Sequence, residues 1–362
     1  MKVPGLKIID WYIIKKFLGT YLFTILLMIA IVIMFDYIQK VDSFIKKSAP
    51  MEAIIFDYYM NFIPYFINLL SPLFVFISVI FFTAQLADNS EIIAMLASGL
   101  NFKRLMRPYM ISATIIAACT FMLNSYIIPP SNIKMNEFKD QYVRNKKTVF
   151  ESNIQLDVEP GTIAYLDFFD GPNNTGTGFS LDKFEGKELK SRLVASRIYW
   201  DSAYNWRVQN YTIRDFIGMK EKVTTGMSLD TTLAIIPSDF MISDTDAEQM
   251  TTQALKKYID RQKERGMENT KNFEIEYHNR FAMTFAAYIL TIIGASLSSR
   301  KIKGGMGMNI GVGLALSFSY ILFMKISSTF AISGITSVFL AAWIPNIVFA
   351  FIAAFLYVKA PR

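Results

Sequence analysis

Pro129–Asn279, which opens PPSNIKMNEFKD (129–140) and closes NFEIEYHN (272–279), is a polar island between two blocks of long apolar runs. Ahead of it lie Phe17 to Phe35, Phe62 to Ala87 and Pro108 to Ile128; after it come Phe281 to Ser298, Met308 to Ser328 and Ile335 to Val358. Each run is long enough to cross a hydrocarbon core, which takes about 20 apolar residues as a helix. Helices are the open-chain solution there, because every backbone donor and acceptor must be satisfied within the segment. The plan is a membrane α-helical bundle of six transmembrane helices, three on each side of a water-facing domain.

Composition agrees. The chain is 52% hydrophobic and 15% aromatic, above an ordinary soluble domain. Its formal charge of +7 is uneven: Pro129 to Tyr277 holds 20 basic against 23 acidic residues, a balance of −3 that leaves +10 on the membrane part. A nucleic-acid role would want a basic soluble face, so that class is excluded. Basic residues near the span ends set the orientation. With the N-terminus inside, the inner segments hold Lys2, Lys7, Lys15, Lys16, Lys103, Arg104, Arg107, Arg300, Lys301, Lys303, Lys359 and Arg362, against Lys40, Lys46 and Lys47 in the outer short loops. Both termini are therefore expected in the cytoplasm and the island outside. The first apolar run is too long for a signal peptide and no small-residue cleavage site follows Phe35.

Leu6 to Lys16 mixes apolar and basic residues as a short interfacial helix does, and Trp11 and Tyr12 suit the aromatic belt. Tyr37, Val41 and Phe44 continue the helical spacing of the first span, so it is expected to project beyond the membrane and carry Lys40, Lys46 and Lys47 at its tip. Pro64 and Pro72 predict kinks in the second span. In the loop after it, DNSEIIAMLASG (88–99), Asp88 is placed to cap a short helix, Ile92, Ile93 and Leu96 give it an apolar stripe, and Gly99 supplies the stop. This segment reads either as a plain turn or as an amphipathic helix that plugs a groove on a cytoplasmic partner. Cys119, the lone thiol, lies inside the third span and excludes an intrachain disulfide; it reads as a small packing residue.

Within the island, Asn153 to Thr232 holds strand-like runs such as TIAYLDFF (162–169), RLVASRIYW (192–200) and NWRVQNYTIRDF (205–216), separated by turn clusters GPNNTGTG (171–178) and KFEGKE (183–188). The expectation is antiparallel all-β: a sandwich, jelly roll or open barrel. From Ser243 to Tyr277 the pattern turns helical, with Leu255, Tyr258 and Ile259 on one face and Gly266 ending the helix. The sequence offers no phosphate loop, no paired cysteines and no nucleophile elbow, and its one histidine, His278, reads as interfacial beside Arg280. Gly307, Gly311, Ala315 and Ser319, each four apart, form a small-residue row that lets another helix approach, from this chain or from a second one. Lys325 lies inside the fifth apolar run, a few residues from the outer loop at Ser333 and Gly334, where it could snorkel.

The chain resembles the permease family of the bacterial lipopolysaccharide-export system. The resemblance is carried by SEIIAMLASG (90–99), YIIPPSN (126–132), LKKYIDRQKERG (255–266), FEIEYHNRFAMTFAAY (273–288), GMNIGVGLAL (307–316) and AAWIPNIVF (341–349), whose order and spacing cover nearly the whole chain. Thr284 stands where the family often has proline, which puts a kink at the start of the fourth span in doubt. The resemblance implies three transmembrane helices in 1–128 with a cytoplasmic coupling helix 88–99, a periplasmic β-jellyroll domain in 129–279 with a helical connector 243–277, and three more helices in 280–362. It implies a subunit, leaning to the G type, that pairs with a paralogous permease in the inner membrane, extracts lipopolysaccharide from the outer leaflet and passes it through periplasmic β-jellyrolls toward the outer membrane. The partners implied are a cytoplasmic ATPase dimer and a single-span protein with its own jellyroll. The chain itself is then no enzyme and carries no cofactor; ATP and Mg belong to the ATPase. On this reading Glu91, Ile92, Ala94, Met95, Ala97 and Gly99 couple to the ATPase, and Lys40, Lys46, Lys47 and Lys325 meet the anionic lipid head. Two readings from other classes compete. One is a membrane-anchored periplasmic sensor or assembly scaffold, which would purify without an ATPase. The other is an intramembrane lipid-modifying enzyme, which the absence of paired acids or a serine-base arrangement in the spans disfavours.

Overall fold

The computed structural model describes residues 7–144, 150–171, 173–218, 220–237, 244–264, 270–300 and 305–360, and structural statements refer to these. They form two compact units: one of Met1–Val143, Glu248–Gln253 and Glu274–Arg362, the other of Arg144–Ala247 and Ala254–Phe273.

The first unit is helical. α1 (Ile8–Lys46) is a single helix of 39 residues, about 58 Å long at 1.5 Å per residue. It outruns a 30 Å hydrocarbon core, as the sequence predicts. Residues 8–16, expected as a short interfacial helix leading into the first span, form the opening turns of this same helix, because no proline interrupts the ladder where the charged segment meets the apolar run. A short α2 (Met51–Ala53) and a π-helical turn (Ile54–Tyr59) lead to α3 (Met60–Leu69), and the chain breaks at Leu70 before α4 (Ser71–Asp88). Pro72 makes that break, since it cannot donate to the carbonyl of Asn68, whereas Pro64 is accommodated inside α3.

α5 (Glu91–Ala97) follows, with Ser90 rather than Asp88 preceding its first turn. Asp88 is instead the last residue of α4. α6 (Phe102–Met122), a second π-helical turn (Leu123–Ile127) and α7 (Ile128–Tyr142) run on without a break. Pro129 and Pro130 lack the N–H groups that would bond Ser125 and Tyr126, and the wider π turn takes up the lost register. The boundary expected at 128/129 thus falls inside one continuous helical rod. Cys119 is exposed on its outer face, a correction to the packing role expected of it.

After the sheet come a 3₁₀ turn (Asp244–Gln249), α8 (Thr252–Glu264), α9 (Lys271–Ser298), α10 (Gly305–Ile332) and α11 (Val338–Lys359). α9 begins well before the expected re-entry at 280, so the end of the connector and the fourth span are one helix. It runs unbroken past Thr284, whose hydroxyl donates to the Arg280 carbonyl at 3.0 Å. Gly266 lies outside the described residues. Six helical stretches are long and apolar enough to cross a membrane: Ile8–Lys46, Ser71–Asp88, Phe102–Tyr142, Lys271–Ser298, Gly307–Ile332 and Val338–Lys359.

The bundle core gathers Phe17, Phe74, Phe76, Phe82, Tyr109, Leu290 and Tyr320, all almost fully buried. Asn346, after Pro345 in the AAWIPNIVF motif, ties three spans together: it accepts from the Tyr320 hydroxyl at 2.8 Å and donates to the Ala282 carbonyl at 2.8 Å.

The second unit is built on six antiparallel strands: β1 (Phe150–Glu159), β2 (Thr162–Asp170), β3 (Thr175–Glu185), β4 (Glu188–Ser202), β5 (Asn205–Ile217) and β6 (Lys220–Thr232). The three quoted strand runs fall on β2, β4 and β5. Sheet order is β1-β2-β3-β4-β5-β6, so every strand pairs with its sequence neighbours. This is an open meander with β1 and β6 at its edges; the antiparallel all-β expectation holds, and the interleaved order of a closed jelly roll is not what these strands show. Alternation sends Ala164, Leu166, Phe179, Leu181, Ala195, Trp206 and Val208 to one buried face. Trp206 there donates to the Ile235 carbonyl at 2.9 Å. Beyond the sheet, Leu255 and Ile259 of α8 are buried and Tyr258 lies 4.7 Å from the Phe273 ring, which places the expected apolar face.

Candidate functional site

Three places on the helical unit carry the residues singled out above. The first is α5. Ile92 is buried and Met95 and Leu96 pack against the bundle core, while Ile93, Ala94 and Ala97 face outward. Glu91 does not point away from the chain: it accepts from the Tyr12 hydroxyl at 2.8 Å and lies 3.9 Å from Lys16, both on α1. Ser90 sits at φ 61° and Gly99 at φ 87°, so left-handed residues bracket the helix and hold the turns at both ends tight. Nearby, Arg104 grips Asp10 through both terminal guanidinium nitrogens at 2.7 and 2.6 Å. That pair seams the start of α1 to the start of α6 across 94 residues. The result is a short helix mounted rigidly on α1, with a small apolar face left over.

The second place is a polar cavity of about 100 Å³ inside the helical unit, lined among others by Asn68, Asn124, Asn132, Glu248, Asn279 and Lys325. Arg280 closes one side. Only 2% exposed, it is neutralised by Glu276 at 2.9 Å and donates to the Met250 carbonyl at 2.9 Å and the Thr252 hydroxyl at 3.1 Å. Asn132 donates to the Glu248 carbonyl at 3.1 Å, so residues 248–252 are stapled to the bundle from two sides. Asn68 donates to Asn124 at 2.8 Å. The other ends of those two amides, with the side-chain oxygens of Asn132 and Asn279, have no protein partner among the described residues. Buried polar atoms of that kind are satisfied by water or a polar ligand. Burial, then the neighbouring Glu276 carboxylate, push the Glu248 carboxyl above its ordinary pKa, against the pull of Lys325, Arg280 and Lys139. Lys325 is exposed and makes no ion pair among the described residues.

The third is the far end of α1. Lys40 pairs with Asp36 and donates to the Tyr58 hydroxyl, and that hydroxyl donates to Asp36 at 2.9 Å. Burial and the Asp36 carboxylate raise the Tyr58 pKa, which keeps the phenol a donor. Lys46 is exposed and Lys47, half-buried, caps the helix. The four expected head-group lysines are therefore not gathered at one point: the cavity beside Lys325 takes no wall from Lys40, Lys46 or Lys47.

The small-residue row lies on one face of α10. Gly307, Gly311, Ala315 and Ser319 are exposed, and an added Cβ at Gly307 or Gly311 would meet nothing within 4 Å. Packing within the chain is served instead by Gly313, where a Cβ would overlap Ile80. On α9, Gly294 plays the same part, with Val79 at 2.9 Å from the place of its Cβ. Sequence reasoning missed Arg280, Asn124, Asn132 and Glu248. The available signals were polar residues interrupting an apolar run before a double proline, and a Glu and an Arg four apart at a span entrance.

No curated protein matches the chain. The family model described as lipopolysaccharide export system permease LptF/LptG matches residues 11–359. That span takes in every helix and strand described above except the first three residues of α1, and the chain belongs to this family, which covers both permease types and makes it a lipopolysaccharide-export permease, a transporter subunit and not itself an enzyme.

Proposed function

We propose that the chain is the G-type half of a paired permease in the inner membrane, with both termini cytoplasmic and the β domain in the periplasm. An ATPase dimer, which binds ATP and Mg, drives it; lipopolysaccharide is drawn from the outer leaflet and passed along the β domain to the jellyroll of a single-span partner. The observation that carries this reading is the mounting of α5. Its inward residues Ile92, Met95 and Leu96 and the Glu91 contacts to Tyr12 and Lys16 fix it to the spans, while Ile93, Ala94 and Ala97 are left to fill a groove. A push on such a helix moves α1 and α4 together. The sequence holds no phosphate-binding loop, so the energy has to come through a contact of this kind. At the other end, Lys46 and Lys325 offer ammonium groups to the phosphates of a lipid head in a partly desolvated setting. Lys40 joins them by exchanging Asp36 for phosphate, and Lys47 by exchanging its contact within the chain. The exposed row on α10 is the seam for the paralogous permease.

The test separates docking from transmission. Ile93→Asp with Ala97→Arg should abolish co-purification of the ATPase, whereas Glu91→Lys should leave the ATPase bound but cut lipid-stimulated hydrolysis at least about tenfold, the effect of losing roughly 1.4 kcal/mol of coupling. If both variants retain the ATPase and full lipid stimulation, the coupling role of α5 is wrong.

A further inference from the structure

We propose that the groove formed by Lys103, Arg107, Met110, Ile111, Ile292 and Tyr357 binds a net-anionic glycerophospholipid of the surrounding bilayer, as a bound lipid distinct from the transported one. The groove, about 610 Å³, lies where α6 meets α9 and α11, at the end of the spans that carries Ile8. On α6 its residues sit at positions 103, 107, 110 and 111, one stripe of a helix. The stripe rises about 12 Å at 1.5 Å per residue and changes from charged to apolar on the way. That is the order in which a phospholipid changes from phosphate to acyl chain.

The charge balance points to an anion. Lys103 and Arg107 are exposed and take part in no ion pair among the described residues. Asp10 is the one acid on the groove wall, and both of its oxygens are already held by Arg104. No carboxylate is left there for the ammonium of a zwitterionic head, while a phosphodiester meets two exposed cations, of which Arg107 also feels Asp10, at the positive end of a 21-residue helix. The apolar upper wall is fixed rather than improvised: Met106 is buried, and the Tyr357 ring lies 5.7 Å from the ring of Phe102. Basic grooves between spans at the membrane surface suit anionic lipid heads in this way. The inference stands on the membrane-spanning fold alone and does not depend on which lipid the chain transports.

Native mass spectrometry of the detergent-purified protein, with its co-purifying subunits, tests it by titration with phosphatidylglycerol and with phosphatidylcholine. Wild type should retain phosphatidylglycerol selectively. Lys103→Gln with Arg107→Gln should weaken it about 25-fold, at roughly fivefold per cation, to the phosphatidylcholine level. Lys15→Gln, an exposed lysine at the same membrane end but outside the groove, should change nothing. Met110→Trp, which fills the groove and keeps both charges, should also displace the lipid and serves if the double variant is not recovered intact. Equal binding of the two lipids, retention by the double variant, or an equal loss in Lys15→Gln would overturn the proposal. So would displacement of phosphatidylglycerol by lipopolysaccharide at equal concentration, which would hand the groove to the transported lipid.

Discussion

α10 shows two different faces within a few turns. On one, Gly313, Ser317 and Tyr320 are buried, and Gly313 lets Ile80 of α4 come so close that no side chain fits between them. On the other, Gly307, Gly311, Ala315 and Ser319 repeat the same small chemistry and are exposed, and a Cβ at Gly307 or Gly311 would meet nothing within 4 Å. Small residues in a membrane helix exist to be approached, since lipid tails give no hydrophobic drive and close van der Waals contact has to supply the attraction. The contrast teaches that glycine on a span is read only with the facing helix in view. The packed face is complete within the chain, and the open face is, on the proposed function, half of an interface.

The largest effects should come from breaking the packed side. Gly313→Leu forces a branched side chain into Ile80 and Phe76 and should cost about 3 kcal/mol, measured as a lowered melting temperature in detergent. Arg280→Met belongs to the same interior. It strands the Glu276 carboxylate and frees residues 250–252, at a cost of about 3 kcal/mol, and residues 248–252 should become open to proteolysis. A melting curve unchanged by either substitution would mean that the interior tolerates what its geometry forbids.

A smaller effect bears on the polar cavity around Arg280. The Glu248 pKa is raised in the folded chain, chiefly by burial and then by Glu276. A raised folded value means that the fold binds this proton more tightly than the unfolded chain, so its stabilising contribution is full below the unfolded pKa and is lost as pH rises through the folded one. Glu248→Gln should therefore stabilise the protein at neutral and alkaline pH relative to wild type and flatten the loss of stability across the acid range. Parallel wild-type and variant curves from acid to alkaline pH would remove Glu248 from the account.

Much of this was legible before any coordinates. Six apolar runs and the strand segments at 162–169, 192–200 and 205–216 follow from length and alternation, which are local properties. The apolar stripe of 88–99 predicted α5, but Glu91 was expected to face a partner. Its attachment to Tyr12 joins residues 79 apart, and no periodicity reports such a contact. The same limit hid the Asp10–Arg104 seam and the cavity around Arg280, whose members come from five separate segments. Periodicity assigned Lys40, Lys46 and Lys47 to the far end of α1 correctly, yet could not reveal that Asp36 and Tyr58 had engaged Lys40. It also ranked the glycine row evenly between internal packing and a second chain. The exposure of that row, with α4 seated on Gly313 instead, takes internal packing away from it.

On the proposed function, the open face of α10 is where a second permease chain seats. The direct measurement is the amount of such a chain that co-purifies with wild type and with Gly311→Leu, alongside the melting temperature of each. Because a Cβ at Gly311 meets nothing within 4 Å, the substitution should leave melting unchanged, while recovery of the partner, one to one with wild type, should fall at least about tenfold, a loss of roughly 1.4 kcal/mol of association. Undiminished pairing in the variant, or wild type purifying with no second permease chain, would contradict the account.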